Sequence, residues 1–150
     1  SPALEGLETK LTERWERESR ETTRLLAMID HLPQGARVAS LVVTERYIWG
    51  YNTQEHIGGY AVVRKDALAN MHFALPGVHM LTLREGGPLF RDPWHRILHP
   101  HGAPLDLATY APARDADWLW YVGRQEPGRL PPGAEVVRRA PRTLLARLKR

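Results

Sequence analysis

The chain has 150 residues, of which 43% are hydrophobic and 25% charged; these proportions suit one folded domain and exclude disorder throughout. No run of eighteen apolar residues occurs, so no stretch of it reads as a bilayer-crossing helix or a signal peptide. Cysteine is absent, which excludes disulfides, thiolate metal sites and cysteine nucleophiles, while a net charge of +4 and a pI near 9.8 admit anionic partners without requiring them.

Residues 3 to 32 read as one long helix. Leu4, Leu7, Leu11 and Trp15 recur at spacings of three and four, and Leu25, Leu26, Ile29 and Leu32 resume the stripe. Between them lies Glu16-Arg17-Glu18-Ser19-Arg20-Glu21, whose opposite charges can pair along the helix. That middle is either a solvated link between two docked ends or part of a stalk leading into the domain. Pro33 and Gly35 end the helix. Val38 to Val43 is a short run rich in β-branched residues and predicts a buried strand.

The next stretch, Thr44 to Asn52, carries Tyr47, Trp49 and Tyr51 at alternate positions. If the preceding strand is parallel to its neighbours, this loop leaves from its carboxyl end, where open α/β sheets bind ligands. Aromatic faces there suit a sugar or a lipid headgroup layer, against the plainer alternative of rings packed on the sheet edge. Asn52 and Glu55 form a capping-box pattern ahead of a helix with Ile57, Tyr60, Ala61 and Arg64 on one side. Gly58-Gly59 weakens that helix unless a close-packed sheet presses on it. Pro76-Gly77 turns the chain before a short alternating run at 80–83.

Residues 84 to 104 are broken by prolines and glycines into a long irregular excursion. A short helix is expected at 105–110. Asp117 to Gly123 is almost continuously apolar and predicts a central strand covered on both faces. Residues 135–139 and 142–148 predict two closing strands, a hairpin at the sheet edge. Their basic residues, among them Arg138, Arg139, Arg142 and Arg147, suit a charge-protected edge.

Leu32-Pro33-Gln34-Gly35-Ala36-Arg37-Val38 is followed by His56-Ile57-Gly58-Gly59-Tyr60-Ala61-Val62-Val63-Arg64-Lys65-Asp66-Ala67, and then by Phe73-Ala74. With the strand Trp118 to Val122 and the basic closing strand, this order resembles the soluble C-terminal region of polytopic bacterial membrane glycosyltransferases that use lipid-linked sugar donors. The resemblance covers most of residues 25 to 148. It implies a fragment of a larger inner-membrane protein, with this domain on the periplasmic side and the catalytic acidic residues in loops outside it. The domain would then be a non-catalytic accessory without a cofactor, partnered by the membrane-embedded remainder and by a glycan or lipid-linked acceptor. Tyr47, Trp49, Tyr51 and His56 are the expected contact residues.

The alternative chemistry is a metal site. His95, His99 and His101, with Asp92 and Asp106 nearby, supply the imidazole and carboxylate donors that zinc takes. His95 and His99 share a face only on a helix, and Pro100 limits one. Neither a dinucleotide fingerprint nor a phosphate-binding loop follows a strand, and Ser40 and Ser19 sit on no nucleophile turn. A basic nucleic-acid module is a further alternative. It lacks a reading helix or an aromatic RNA motif, so no nucleic acid is expected. The fold expected is one α/β domain over residues 1–150: a long helix over 1–32, then a body over 36–150. That body is a small, mostly parallel sheet in a three-layer arrangement, closed by the hairpin.

Overall fold

A computed structural model describes residues 1–44, 58–65, 67–70, 96–98 and 103–149. Helix α1 spans Pro2–Leu26. Ser1 caps it by accepting from the Leu4 N–H, Pro2 supplies a preset φ in the first turn, and Glu5 and Arg24 match the helix dipole at its two ends. A 3-10 turn, Ala27–His31, continues it. Leu32 is extended, the conformation favoured before a proline, and Gly35 takes a positive φ of 72° to turn the chain into the sheet.

Strand β1, Arg37–Thr44, is the hub. On one side it pairs in parallel with β4, Trp118–Val122. Along its other edge it pairs in parallel first with β2, Leu68–Ala69, and then, at Val42 to Thr44, with β3, Arg96–Leu98. Beyond β4 the sheet turns antiparallel. Strand β6, Thr143–Arg147, pairs with β4, and β5, Glu135–Ala140, pairs with β6 at the far edge. The sheet is therefore mixed, parallel around β1 and antiparallel beyond β4. A register shift between Val136 and Arg138 leaves Val137 exposed on β5, a bulge of the kind that blunts a sheet edge. Only Pro141 and Arg142 join β5 to β6, and Arg142 adopts a φ of 66°. Glycine or asparagine usually stands there, and an arginine costs on the order of 1 kcal/mol or more.

Alternation along β1 and β4 divides the core. Val38, Val42, Trp120, Val122 and Leu145 meet Leu25, Met28, Ile29 and Leu32 from the end of α1 and its 3-10 turn. Ala61 and Ala67 join that cluster from helix α2, Gly58–Lys65, and the residues just after it. Ala39, Leu41, Leu119, Tyr121, Leu144 and Ala146 face the opposite way, under Leu107, Ala116 and the partly buried Leu105, Tyr110 and Ala113. Among the described residues the α-helical cover lies with the first cluster alone. The second is covered by irregular chain and a 3-10 turn, Ala111–Asp115. The helix expected at 105–110 is not formed: Asp106 instead accepts from the Ala108 N–H in a local turn that competes with a helix.

Helix α1 is held at one end. Leu25 and Ile29 are fully buried, whereas Leu4, Leu7, Leu11 and Trp15 are 60%, 53%, 56% and 74% exposed. Its amino end is thus not docked on the described chain. Each buried aliphatic side chain at the anchored end contributes about 1.5–3 kcal/mol. In urea unfolding, Ile29→Ala is expected to lower stability by about 2–5 kcal/mol. Leu7→Ala should stay within about 0.5 kcal/mol of the parent; equal losses would mean the amino half is packed as well.

Candidate functional site

The carboxyl ends of the parallel strands lie side by side, with Thr44 opposite Leu98 and Val42 opposite Val122. From β1 the chain goes through α2 to one edge, and it later returns to β4 on the other. Such a reversal is where open sheets form ligand crevices. The segment with Tyr47, Trp49, Tyr51 and His56 follows that end of β1 in sequence, and these four lie outside the described residues. So do Asp92, His95, His99 and His101. Arg96–Leu98, between two of the histidines, is strand. Among the described residues no group of three or more histidine, aspartate or glutamate side chains is placed to hold a metal.

Among the described residues no strand pairs with β1 between β2 and β3, and side chains reach its edge there. Asn70, fully buried, accepts from the Ser40 backbone N–H at 2.8 Å and from the Ser40 hydroxyl at 3.2 Å through Oδ1. Its Nδ2 donates to the Tyr110 hydroxyl at 3.0 Å, and that hydroxyl donates to the Ser40 carbonyl at 3.1 Å. The carboxamide and phenol thus serve both backbone groups of Ser40. Ser40 is held as structure, consistent with its lack of a nucleophile turn.

The motif residues around β1 have structural duties of the same kind. Arg37 donates through Nε and Nη2 to the Asp115 carbonyl at 2.9 and 2.7 Å, fixing the end of the 3-10 turn against the start of the sheet. Tyr60 and Arg64, expected on the packed side of α2, are exposed instead, with the guanidinium 6.0 Å from the ring centroid. Ala61, with a side chain small enough for close approach, joins the core cluster against the sheet.

At the carboxyl end of β4, the Tyr121 hydroxyl donates to the Gln125 carbonyl. Burial, and secondarily the charge of Glu126, pushes its pKa up, so it stays neutral at physiological pH. Gly123 lies against that ring: a Cβ there would stand 2.7 Å from the hydroxyl oxygen. Asp106, a candidate metal carboxylate, is held below the ordinary aspartate range by the Ala108 N–H first and the Arg129 side chain second. Arg129 reaches it at 3.1 Å through Nε and 2.5 Å through Nη2.

Comparison with known protein families, with curated proteins and with solved structures returned no match. What the geometry defines is a mixed α/β domain with a helix overhanging one end. Among the described residues, the buried Ser40, Asn70 and Thr143 are engaged in architecture, and a row of exposed apolar side chains lies on α1. The sequence reading missed the role of Asn70, whose only signal was a polar residue within an otherwise apolar 67–69 flank.

Two measurements check these assignments. Asn70→Ala should lower unfolding free energy by about 1–3 kcal/mol by orphaning the Ser40 N–H. Tyr110→Phe should cost less on its own and combine non-additively with it; additive losses would mean the network is not shared. Asp106, with its pKa depressed on folding, adds stability above the unfolded-state value, and this is lost as pH falls through the folded value. A carboxyl NMR titration should place its midpoint below 3.8 and move it upward in Arg129→Ala.

Proposed function

We propose that this chain is a non-catalytic, extracytoplasmic accessory domain of an integral-membrane glycosyltransferase that uses a lipid-linked sugar donor, contributing to acceptor or partner binding. The observation that carries the reading is the uncovered apolar row on α1. Leu4, Leu7, Leu11 and Trp15 lie on the helix face that, nearly three turns further on, carries the buried Leu25 and leads to Ile29 in the 3-10 turn. One face thus starts as open surface and ends as core, which is what a helix shared between this domain and a neighbouring apolar body requires. The membrane-embedded remainder of the same polypeptide is that body in this reading.

The placement of the motifs supports it. Leu32, Pro33, Gly35 and Arg37 form the passage from α1 into β1; Ala61 seats α2 on the sheet; Trp118 to Val122 is the middle strand. Each serves the scaffold, as expected of a domain whose chemistry is carried elsewhere. Helical crossing segments are not part of the described residues: no helix among them is long and apolar enough to span a membrane. The aromatic segment that follows β1 in sequence is the region proposed to meet a glycan or lipid-linked acceptor, through Tyr47, Trp49, Tyr51 and His56.

The test is an immunoblot of fractionated native cells with an antibody to this domain. A band in the carbonate-washed membrane fraction, several times heavier than 17.1 kDa, is the expected result. A soluble band at about the mass of this chain would overturn the proposal.

A further inference from the structure

Four arginines line one open groove of about 680 Å³ between α1 and the β5–β6 turn. Arg17, Arg20 and Arg24 project from one side of the helix at spacings of three and four, rising about 4.5 and 6 Å along its axis. Arg142 enters from the turn. The one acidic side chain in the lining, Glu21, is in contact with Nη1 of Arg142. Among the described residues no carboxylate lies in ion-pair range of Arg17, Arg20 or Arg24, although Arg14 on the same helix pairs with Glu18 at 3.1 Å.

Along the helix these arginines alternate with glutamates, Glu13 and Glu16 standing one turn before Arg17 and Arg20, yet none of these carboxylates pairs with them. Like charges three and four residues apart repel on a helix. Here two such steps, 17 to 20 and 20 to 24, follow one another, while the intervening Glu21 is turned to a fourth guanidinium. Arg142 itself occupies a left-handed position where glycine would be at ease. The Glu21 contact accounts for one positive charge and leaves the lining with a surplus of three. Guanidinium groups in a row match the fork geometry of phosphate oxygens, and a multiply charged anion would remove the repulsion. The hydroxyls of Ser19 and Thr23 also lie in the lining, with Thr23 donating to the Ser19 carbonyl.

We infer that this groove is a binding site for a phosphate-bearing anion. The assignment stands on the arginines alone and is independent of the membrane reading above, so failure of one leaves the other in place. The phosphate could be offered by a soluble phosphate compound or by a lipid headgroup, and the experiment separates the two.

The chain is titrated with inorganic pyrophosphate at low salt while the arginine Nε–Hε resonances are followed by NMR, and flotation is run with vesicles containing phosphatidylglycerol. Saturable shifts are expected at Arg17, Arg20, Arg24 and Arg142, with Arg114, exposed elsewhere, unmoved. Affinity should fall with added salt and drop by at least ~10-fold in R20A/R24A, whose positions are exposed and carry no packing. Arg142→Gly keeps the turn unstrained, serves as the second variant, and should also weaken binding. Flotation that pyrophosphate competes away identifies a lipid headgroup as the source; pyrophosphate binding without flotation identifies a soluble phosphate. The assignment is overturned by the lack of a saturable shift, by shifts of equal size at Arg114, or by unchanged affinity in both variants.

Discussion

The sheet depends on how the edge of β1 is completed. A central strand must satisfy backbone donors and acceptors on both sides, and orphaned ones inside a core cost about 1–3 kcal/mol each. One side of β1 is served continuously by β4. The other is served in pieces: two residues of β2, then the Asn70 carboxamide with the Tyr110 phenol, then three residues of β3. That makeshift edge ties together parts of the chain far apart in sequence. Tyr110 belongs to the irregular cover of one face, and Asn70 follows the helix that covers the other, so the two layers are fastened through a single serine backbone.

The same logic explains the internal polarity of β4 and β6. Trp120 donates its indole N–H to the Thr143 hydroxyl at 2.9 Å, and that hydroxyl donates onward to the Tyr121 carbonyl at 2.9 Å. A buried tryptophan needs such a partner, and the threonine supplies it without introducing charge. The surface is where charge gathers. Arg139 on the outer strand pairs with Glu126 at 2.8 Å, tying β5 to the segment after β4, and Arg142 reaches Glu21 across to α1.

Elements long enough to carry a pattern were readable in the order of residues alone. The run Val38 to Val43 falls within β1, Asp117 to Gly123 brackets β4, and the helical stripe ending at Leu32 matches α1 with its 3-10 extension. Strands of two and three residues such as β2 and β3 carry no period at all, so nothing in 67–70 or 96–98 announced them. The direction of pairing was legible only in part, because a continuous apolar run like Trp118 to Val122 reports burial and not whether its neighbour runs parallel. The site proved harder than the fold. Asn70 and Tyr110 are forty residues apart, and a hydrogen-bond network between them has no signature in linear spacing. The aromatic residues at 47–51 and the histidines at 95–101 lie outside the described residues, so their expected roles rest on sequence and on the strand ends that flank them.

A helix secured at one end is also an angular device. At 3.6 residues per turn, each residue advances the face of α1 by about 100° and its length by about 1.5 Å. The count of residues between Trp15 and Leu25 therefore sets the azimuth of the exposed row from Leu4 to Trp15 relative to the sheet, and with it the bearing of the β1 carboxyl end. Insertion of a single residue in that interval would swing the whole body about the helix axis by more than a quarter turn while scarcely changing its distance. The number of residues in the interval, and not the identity of its exposed side chains, fixes that bearing.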